Sequence, residues 1–241
     1  MVLVHYPDEE ALALAAAEIF VEQFKLAINR SGRFTVLLSG GGTPKLTYEH
    51  LAREPFKNKI DWSMVNIFWG DERCVEKNDP LSNYLMASEA FLSHLPIPVQ
   101  QIHPIICNKD PHVSAGRYEE LLKEYFKPSP PSFDLVFLGL GLDGHVASLF
   151  PQTQTLEENK RWVIVVQKER EDFARITLTL PILNLAKVIV FLVSGAEKNE
   201  ILHKVLSQEE PSAILPARQI KPVAGKLYWL VDVPVITDFS S

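Results

Sequence analysis

The sequence predicts an α/β fold in which a mostly parallel sheet is covered by helices on both faces. Short apolar runs bounded by turn residues alternate along the chain with segments of helical periodicity. Parallel neighbours need such crossover connections, because a tight turn joins only antiparallel strands. Two runs near residue 170 follow each other without a helix, so part of the sheet is antiparallel or lies in a side layer. The 241 residues suit a single domain, 1–241.

The predicted strands are apolar and rich in β-branched and aromatic residues, as strands buried on both faces are. In chain order they cover Val2–His5, Phe34–Leu38, Val65–Trp69, Ile102–Ile105, 133–140, 162–166, 175–180, 187–193 and Leu227–Val231. The pair 162–166 and 175–180 is the one that lacks an intervening helix. We expect the loops after the carboxyl ends of the parallel strands to converge on a ligand.

The predicted helices lie between these strands. The first shows apolar residues on one face and glutamates elsewhere, and Ser31-Gly32 ends it. The proline at residue 44 suits a first helical position, with Thr43 as the cap before it. Helices are expected at Glu9–Ile28, Pro44–Ala52, Ser82–Leu95, Ser114–Phe126, around Ala147 and at Ala196–Leu206, with a polar loop at 70–80.

Composition is that of an ordinary globular protein, 46% hydrophobic and 22% charged, with a formal net charge of -6. No stretch concentrates lysine and arginine, which argues against nucleic acid as a partner. The start of the chain lacks a signal-peptide pattern, and no run approaches the length of a membrane helix. We therefore expect a cytoplasmic protein without membrane contact, a monomer or weak homodimer, with Cys74 and Cys107 as reduced thiols.

The first loop with unusual content is Ser39-Gly40-Gly41-Gly42-Thr43-Pro44, directly after a predicted strand. Three glycines let the backbone approach a ligand closely, and free N–H groups at a helix start favour an anion. The spacing is not that of a nucleotide-binding P-loop. The loop therefore predicts a site for phosphate or a sugar phosphate, with a flexible strand-to-helix turn as the alternative.

Charged residues follow the next strand, at Asp71, Glu72 and Arg73. Charges at a strand end are costly to desolvate unless they pair or bind a ligand, and a guanidinium can hold phosphate by two hydrogen bonds. Asp71 and Arg73 are therefore candidate ligand contacts, and a local surface ion pair is the alternative.

The segment Gly139–Pro151, GLGLDGHVASLFP, begins with the spacing G-x-G-x-x-G after a predicted strand. A dinucleotide-binding turn is disfavoured, because the acidic residue expected after the next strand is not clearly present and Asp143 and His145 crowd the turn. Histidine accepts protons near neutral pH, and one beside an aspartate in a strand-end loop is a catalytic candidate. His145 and Asp143 are therefore the predicted catalytic residues, with a structural histidine as the alternative.

Two basic residues complete the set of candidates. Arg175 begins a predicted strand, and Lys198 lies in the first turn of a helix, where a cation opposes the helix dipole. Taken alone, each is more often a solvated surface charge. No metal-binding signature of the H-E-x-x-H kind occurs, so the sequence predicts no metal site.

Several segments together resemble the 6-phosphogluconolactonase family, within the superfamily that also contains glucosamine-6-phosphate deaminase. They are LLSGGGTP, WGDERCV with SNYLM, FDLVFLGLGLDGHVASLFP, RITLTLPILN, FLVSGAEKNEIL and GKLYWLVD, in that family's order. The resemblance implies a Rossmann-like three-layer α/β/α fold. It also implies hydrolysis of 6-phospho-D-glucono-1,5-lactone, the second step of the oxidative pentose phosphate pathway, without a cofactor.

The resemblance also implies roles for particular residues. His145 matches the general base and Asp143 its neighbour, while Gly141 and Gly144 make room for the lactone ring. Ser39, Gly40, Gly41, Gly42 and Thr43 match the substrate loop, and Arg73, Arg175 and Lys198 match basic residues around the phosphate. Ser148 is expected to pack or form hydrogen bonds and not to act as a nucleophile.

Phe150 separates the two branches of the superfamily, because the deaminases carry a glutamate at that position. A phenyl ring cannot carry a proton, so the lactonase is favoured. Three alternatives stay open at this point: a glucosamine-6-phosphate deaminase or sugar-phosphate isomerase, a non-enzymatic sugar-phosphate-binding protein, and a nicotinamide-dependent dehydrogenase. Val146 stands where the family often has threonine, and we expect it to leave activity intact.

Overall fold

The central sheet of the computed structural model contains seven parallel strands within the described residues, 1–107, 110–169, 171–207 and 215–233. Every pair of neighbouring strands in it is parallel, which confirms the predicted mostly parallel α/β fold. Across the sheet the order is β1 (Val2–His5), β10 (Lys226–Val231), β9 (Val188–Val193), β6 (Leu135–Leu138), β2 (Phe34–Leu38), β3 (Val65–Trp69) and β5 (Ile102–His103).

Helices cover both faces of this sheet. Strand register places Phe137 of β6 and Phe68 of β3 on opposite faces. Phe137 meets aromatic rings of the first two helices, whereas Phe68 meets Tyr125 and Phe126 of the fourth. The helices are α1 (Glu9–Ser31), α2 (Gly42–Leu51), α3 (Asn83–Ala90), α4 (Pro111–Phe126), α5 (Leu180–Leu183) and α6 (Asn199–Leu206).

Buried apolar side chains of the described residues form one connected cluster that spans the sheet and its helices. This agrees with a single folding unit, although the predicted span, 1–241, stays a prediction. None of the helices in the described ranges combines the length and the apolar character needed to cross a membrane.

A second, antiparallel sheet lies beside the strand ends of the first. It contains β4 (Asp71–Arg73), β8 (Ala174–Leu178) and β7 (Val163–Gln167), in that order. The antiparallel β7–β8 pair is the one that the sequence places outside the regular alternation. The prediction of a loop at residues 71–73 is wrong, because β4 pairs with β8 about a hundred residues away and no local pattern signals that pairing.

Two predicted helix features are also wrong. α2 begins at Gly42 with Gly41 as its cap, two residues before the predicted start. Gly41 has a φ of 110°, which only glycine adopts readily. The backbone therefore turns into the helix at Gly41, and Thr43 already lies within the first helical turn. No helix forms around Ala147, whose φ of 48° interrupts any helical run.

The two cysteines are bonded to each other, so the prediction of reduced thiols is wrong. The Cα atoms of Cys74 and Cys107 lie 5.1 Å apart, because the segments that follow β4 and β5 approach each other. The sequence separation of 33 residues gives no sign of this approach. The cytoplasmic location, from which the reduced state of the thiols was expected, stays a prediction.

Candidate active site

A cavity of about 260 Å³ opens at the carboxyl ends of the parallel strands. It lies between β2 and β6, where the strand order reverses. The strand that follows β2 in this sheet, β3, lies on one side, and the strand that follows β6 in this sheet, β9, lies on the other. Ligands of open α/β sheets bind at such a reversal. The lining comprises Ser39, Gly40, Gly41, Gly42, Thr43, Pro44, Asp71, Arg73, Asn83, Gly139, Leu140, Gly141, His145, Ala147, Arg175, Leu192, Ser194 and Lys198.

All the predicted site residues line this one cavity except Asp143 and Gly144. Asp143 lies behind His145 and contacts its ring. Gly144 has a φ of 83°, and a Cβ there would lie 3.0 Å from Leu215, so this glycine makes the turn and faces the core. Gly144 therefore shapes the loop, and the predicted substrate contact through it has no counterpart in the cavity lining.

The glycine-rich loop is held at its start by Tyr48 of α2. The Ser39 N–H donates to the Tyr48 hydroxyl at 3.1 Å, and that hydroxyl donates to the Ser39 carbonyl at 3.0 Å. Burial raises the pKa of Tyr48, so the hydroxyl stays protonated and able to donate. The loop is thereby fixed against the helix, and the unpaired N–H groups of the first turn of α2 remain available to an anion.

Two further contacts shape the glycine-rich loop. A Cβ on Gly40 would lie 2.0 Å from the Oδ1 atom of Asn83, so glycine is required for the close approach of these segments. The hydroxyl of Thr43 donates to Glu9 at 2.7 Å and is thus occupied by α1. Thr43 presents its backbone to the cavity rather than a free hydroxyl.

His145 and Asp143 form a close pair. The carboxylate of Asp143 lies 2.5 Å from Nδ1 of His145 and also accepts the His145 backbone N–H at 3.1 Å. Burial of the carboxyl acts to raise its pKa, but the hydrogen bonds and charge of His145 outweigh this and lower the pKa of Asp143 to about 2. Asp143 is therefore ionised at neutral pH and accepts the proton on Nδ1, which leaves the lone pair of a neutral imidazole on Nε2.

Gly141 provides the space that the imidazole occupies. A Cβ on Gly141 would lie 1.9 Å from Nδ1 of His145 and 2.2 Å from its Cε1. The backbone of the same glycine donates to the carbonyl of His145 at 2.9 Å, which closes the loop on itself. No side chain is compatible with this arrangement, so the glycine is required by the position of the ring.

Asp71 joins three of the segments around the cavity. Its Oδ2 accepts the hydroxyl of Ser148 at 2.6 Å, and Asn83 donates to its backbone carbonyl at 3.0 Å. Ser148 is fully buried and its N–H donates to Thr177 of β8. The loop that carries His145 is thus fastened to β4 and β8, and the hydrogen-bonding role expected of Ser148 is confirmed.

Glu72 fastens the start of α3 to β4. Its two carboxylate oxygens accept hydrogen bonds from the backbone of Arg73, Asn83 and Tyr84 and from the hydroxyl of Ser82. Burial raises the pKa of Glu72, and the backbone hydrogen bonds oppose that rise. The contacts hold Asn83 at the cavity wall, where its amide reaches β4.

Three cationic side chains line the cavity. Arg73 and Arg175 lie directly opposite each other in the β4–β8 register. Arg73 donates to the carbonyl of Leu81 at 2.6 Å, and Arg175 makes a two-pronged contact with Glu171. Lys198 donates to the carbonyl of Leu140 at 2.8 Å, so the Lys198 ammonium braces the loop that precedes His145. Like charges placed opposite each other are unfavourable unless an anion offsets them.

Phe150 lies between the histidine and the cations. Its ring centroid is 4.7 Å from that of His145, and the Nζ of Lys168 and the guanidinium of Arg175 lie 4.6 and 5.5 Å from it. The side chain is 5% exposed. The ring gives an apolar, non-titrating wall beside His145 and a π face toward two positive charges.

Sequence reasoning missed Asn83 and Glu171. Asn83 directly follows the helix cap Ser82, so its polarity read as part of an ordinary helix start. Glu171 lies in a charged hairpin loop, where a carboxylate usually faces solvent. The contacts of Asn83 with Asp71 and of Glu171 with Arg175 become visible only in the folded structure. The segment SNYLM, part of the family resemblance, was the one signal in the sequence that pointed to Asn83.

The structure gives no sign of a metal site within its described ranges, since no group of three or more His, Cys, Asp or Glu side chains there could hold an ion. Asp71, the acidic residue in the described cavity lining, already accepts hydrogen bonds from Ser148 and Asn83.

Comparisons with known proteins agree on one group. The model of the glucosamine-6-phosphate isomerases/6-phosphogluconolactonase family matches residues 7–229. A 6-phosphogluconolactonase of Nostoc sp. is 39% identical over 97% of this chain and 96% of its own length, and one of Synechocystis sp. is 42% identical over 86% and 85%.

Solved structures give the same picture of the fold. A 6-phosphogluconolactonase from Trypanosoma brucei superposes with a TM-score of 0.86 at 27% identity, covering 100% of this chain and 98% of that one. A monomeric glucosamine-6-phosphate deaminase superposes with a TM-score of 0.80 at 21% identity, covering 96% and 97%, which is a likeness of fold alone.

Proposed function

The chain belongs to the glucosamine-6-phosphate isomerase/6-phosphogluconolactonase family, and from that premise we propose that it hydrolyses 6-phospho-D-glucono-1,5-lactone to 6-phospho-D-gluconate. The resemblance seen in the sequence is thereby confirmed at the level of the family. The observation that carries the proposal is that His145, paired with Asp143, lines the same cavity as an opposed pair of arginines and a glycine-rich helix start.

The proposed reaction is acyl transfer to water, with His145 as general base. Nε2 of the neutral imidazole takes a proton from a water molecule as the water oxygen bonds to C1 of the lactone. General-base assistance of this kind is worth about 10²- to 10⁴-fold. Asp143, ionised because its pKa is about 2, holds Nδ1–H and stabilises the imidazolium that forms.

The tetrahedral intermediate then collapses by breaking the bond between C1 and the ring oxygen. The imidazolium gives its proton to that departing oxygen, which becomes a hydroxyl group. The carboxylic acid formed at C1 then loses the second proton of the attacking water to solvent and becomes the carboxylate. Backbone N–H groups of the two glycine-rich loops are the proposed donors to the oxyanion. No covalent intermediate is required, and Ser148 is not free to form one because its hydroxyl is bonded to Asp71.

The phosphate of the substrate is assigned to the cationic side of the cavity. Arg73 and Arg175 supply two guanidinium groups at opposed register positions, and the start of α2 adds unpaired N–H groups. Phosphate bound there is remote from C1 and fixes the lactone relative to Nε2. Such anchoring lowers the entropic cost of aligning the carbonyl with the water.

Phe150 favours the lactonase over the deaminase branch. The ring lies tilted against that of His145, at the position where a deaminase requires a residue that carries a proton during ring opening. A phenyl group cannot do so. Among the described residues that line the cavity, His145 is the group proposed to transfer protons at this end, and one such group is sufficient for ester hydrolysis.

The experiment measures acid release during hydrolysis of the phosphorylated lactone in a pH-stat, with and without a chelator. The rate of spontaneous hydrolysis is subtracted. We expect enzyme-dependent acid release that the chelator leaves unchanged. Parallel assays score ammonia release from glucosamine 6-phosphate and cofactor-dependent absorbance with NAD or NADP. Ammonia release or a nicotinamide signal without lactone hydrolysis contradicts the proposal, as does ligand binding without any turnover.

A further inference from the structure

Glu171 grips one edge of the Arg175 guanidinium. Nε of Arg175 donates to one carboxylate oxygen and Nη2 to the other, each at 2.8 Å. Both side chains are mostly buried, with 11% of Arg175 and 20% of Glu171 exposed. The parallel, two-pronged geometry is the strongest form of contact between these groups, and it fixes the plane of the guanidinium.

The carboxylate approaches Arg175 from outside the cavity. Arg175 lines the cavity, whereas Glu171, in the loop between β7 and β8, does not. The two hydrogen bonds use Nε and Nη2, which leaves Nη1 as the nitrogen not engaged by Glu171. The contact therefore holds the guanidinium from behind and does not fill the space into which an anion would enter.

Glu171 also offsets the charge of the opposed arginines. Arg73 and Arg175 are register partners in an antiparallel pair, where like charges repel. The hydrogen bonds from Arg175 lower the pKa of Glu171 against the effect of burial, and the charges of Arg175, Lys168 and Arg73 act in the same direction. The carboxylate is thus ionised and stabilised by Arg175, Lys168 and Arg73.

We propose that Glu171 is a positioning residue that orients Arg175 toward the phosphate of the substrate. This inference rests on the proposed function for the identity of the ligand, a phosphate monoester on a sugar lactone. The opposite role for the same contact is that of a carboxylate that competes with phosphate for the guanidinium. The two roles give opposite effects on substrate affinity when the carboxylate is removed, so one experiment separates them.

The test compares Glu171→Gln with Glu169→Gln, which removes an exposed carboxylate from the same loop. Steady-state kinetics are measured with 6-phosphogluconolactone and with unphosphorylated gluconolactone. An amide nitrogen cannot accept from the guanidinium, so we expect KM for the phosphorylated lactone to rise about tenfold, the worth of one charge-assisted hydrogen bond. The value of kcat should stay within about twofold of wild type.

Two further arms complete the test. Glu171→Asp keeps the charge but shortens the side chain, and it should recover part of the loss in KM. Calorimetric affinity for 6-phosphogluconate should fall in Glu171→Gln and not in Glu169→Gln, a measurement that needs no turnover. If the wild type fails to hydrolyse the lactone, the proposed function fails while this binding measurement still decides the role of Glu171.

Several results overturn the inference. A KM that is unchanged or lower in Glu171→Gln does so, and a lower one indicates competition with phosphate. An equal rise for both lactones removes the link to phosphate. The same rise in Glu169→Gln attributes the effect to loop charge in general. Loss of kcat without a change in KM reassigns Glu171 to a structural role.

Discussion

At the scale of single residues, the site depends on how closely the backbone approaches functional side chains. Gly141 lies against the imidazole of His145, and Gly40 against the amide of Asn83, at distances that exclude a Cβ atom. Both glycines are therefore fixed by the side chain opposite them rather than by a need for unusual dihedral angles. Gly144 differs, because its positive φ makes the turn.

Replacing Gly141 with alanine should therefore displace the catalytic ring. The new Cβ would lie 1.9 Å from Nδ1 of His145, so the imidazole must leave its contact with Asp143. We expect kcat to fall by about 10²-fold or more, the lower end of what a positioned general base contributes. Gly116→Ala in α4, where a Cβ meets open space, is the control and should keep wild-type kcat. Near wild-type kcat in Gly141→Ala contradicts the assigned position of His145.

At the scale of elements, the sequence pattern predicts where the parallel strands lie, but it does not predict which distant segments pair with each other. Buried parallel strands are continuous apolar runs, so the local sequence is enough to recognise β2, β3, β6 and β9. The pairing of β4 with β8 joins residues about a hundred positions apart, and β4 is too short to show a pattern. The helix α2 begins two residues earlier than the sequence predicts, because Gly41 and not Thr43 occupies the cap position.

The same division holds for the site. His145, Asp143 and the glycine-rich loop were recognisable because their chemistry is contained within a few consecutive residues. The contacts of Asn83 with Asp71 and of Ser148 with Asp71 cross 12 and 77 residues and carry no local signal. Glu171 is near Arg175 in sequence, but only the folded hairpin shows that it approaches from behind the cavity.

The bond between Cys74 and Cys107 closes a loop that contains α3, whose first residues donate hydrogen bonds to Glu72, and it should stabilise the fold. A cross-link restricts the unfolded chain, and a loop of this size is worth about 2–4 kcal/mol in free energy of unfolding. We expect a Cys74→Ser, Cys107→Ser double variant to lose that amount in urea unfolding. Reductant should lower the unfolding midpoint of the wild type and leave the variant unchanged; a wild type indifferent to reductant contradicts the bond.

At the scale of the whole molecule, stability should fall in acid. The pKa values of Glu119 and Asp143 are lowered, that of Asp143 to about 2, because hydrogen bonds and nearby cations outweigh burial. Such carboxyls bind protons more tightly in the unfolded chain, so their stabilisation is present above about pH 4.5 and lost as pH falls toward 2. Glu72 acts in the opposite sense, since its pKa is raised by burial and its protonation favours the fold.

Carboxyl groups with a lowered pKa are more numerous among the described residues than those with a raised pKa, of which Glu72 is the example. We therefore expect the midpoint of urea unfolding to decline steadily from pH 5 to pH 3. Glu119→Gln should flatten part of this decline, because that residue accepts the N–H groups of Trp162 and Val163 and pairs with Lys123. A midpoint at pH 3 equal to or above that at pH 7 contradicts the assignment of these pKa shifts.

The central claim is that His145 activates water while other residues bind the phosphate, and His145→Ala tests it most directly. Turnover of 6-phosphogluconolactone and calorimetric affinity for 6-phosphogluconate are measured on the same preparation. We predict that kcat falls by about 10²- to 10⁴-fold, the contribution of a general base, while the affinity for the product changes little. A variant that keeps near wild-type kcat, or that loses product binding together with turnover, contradicts the claim.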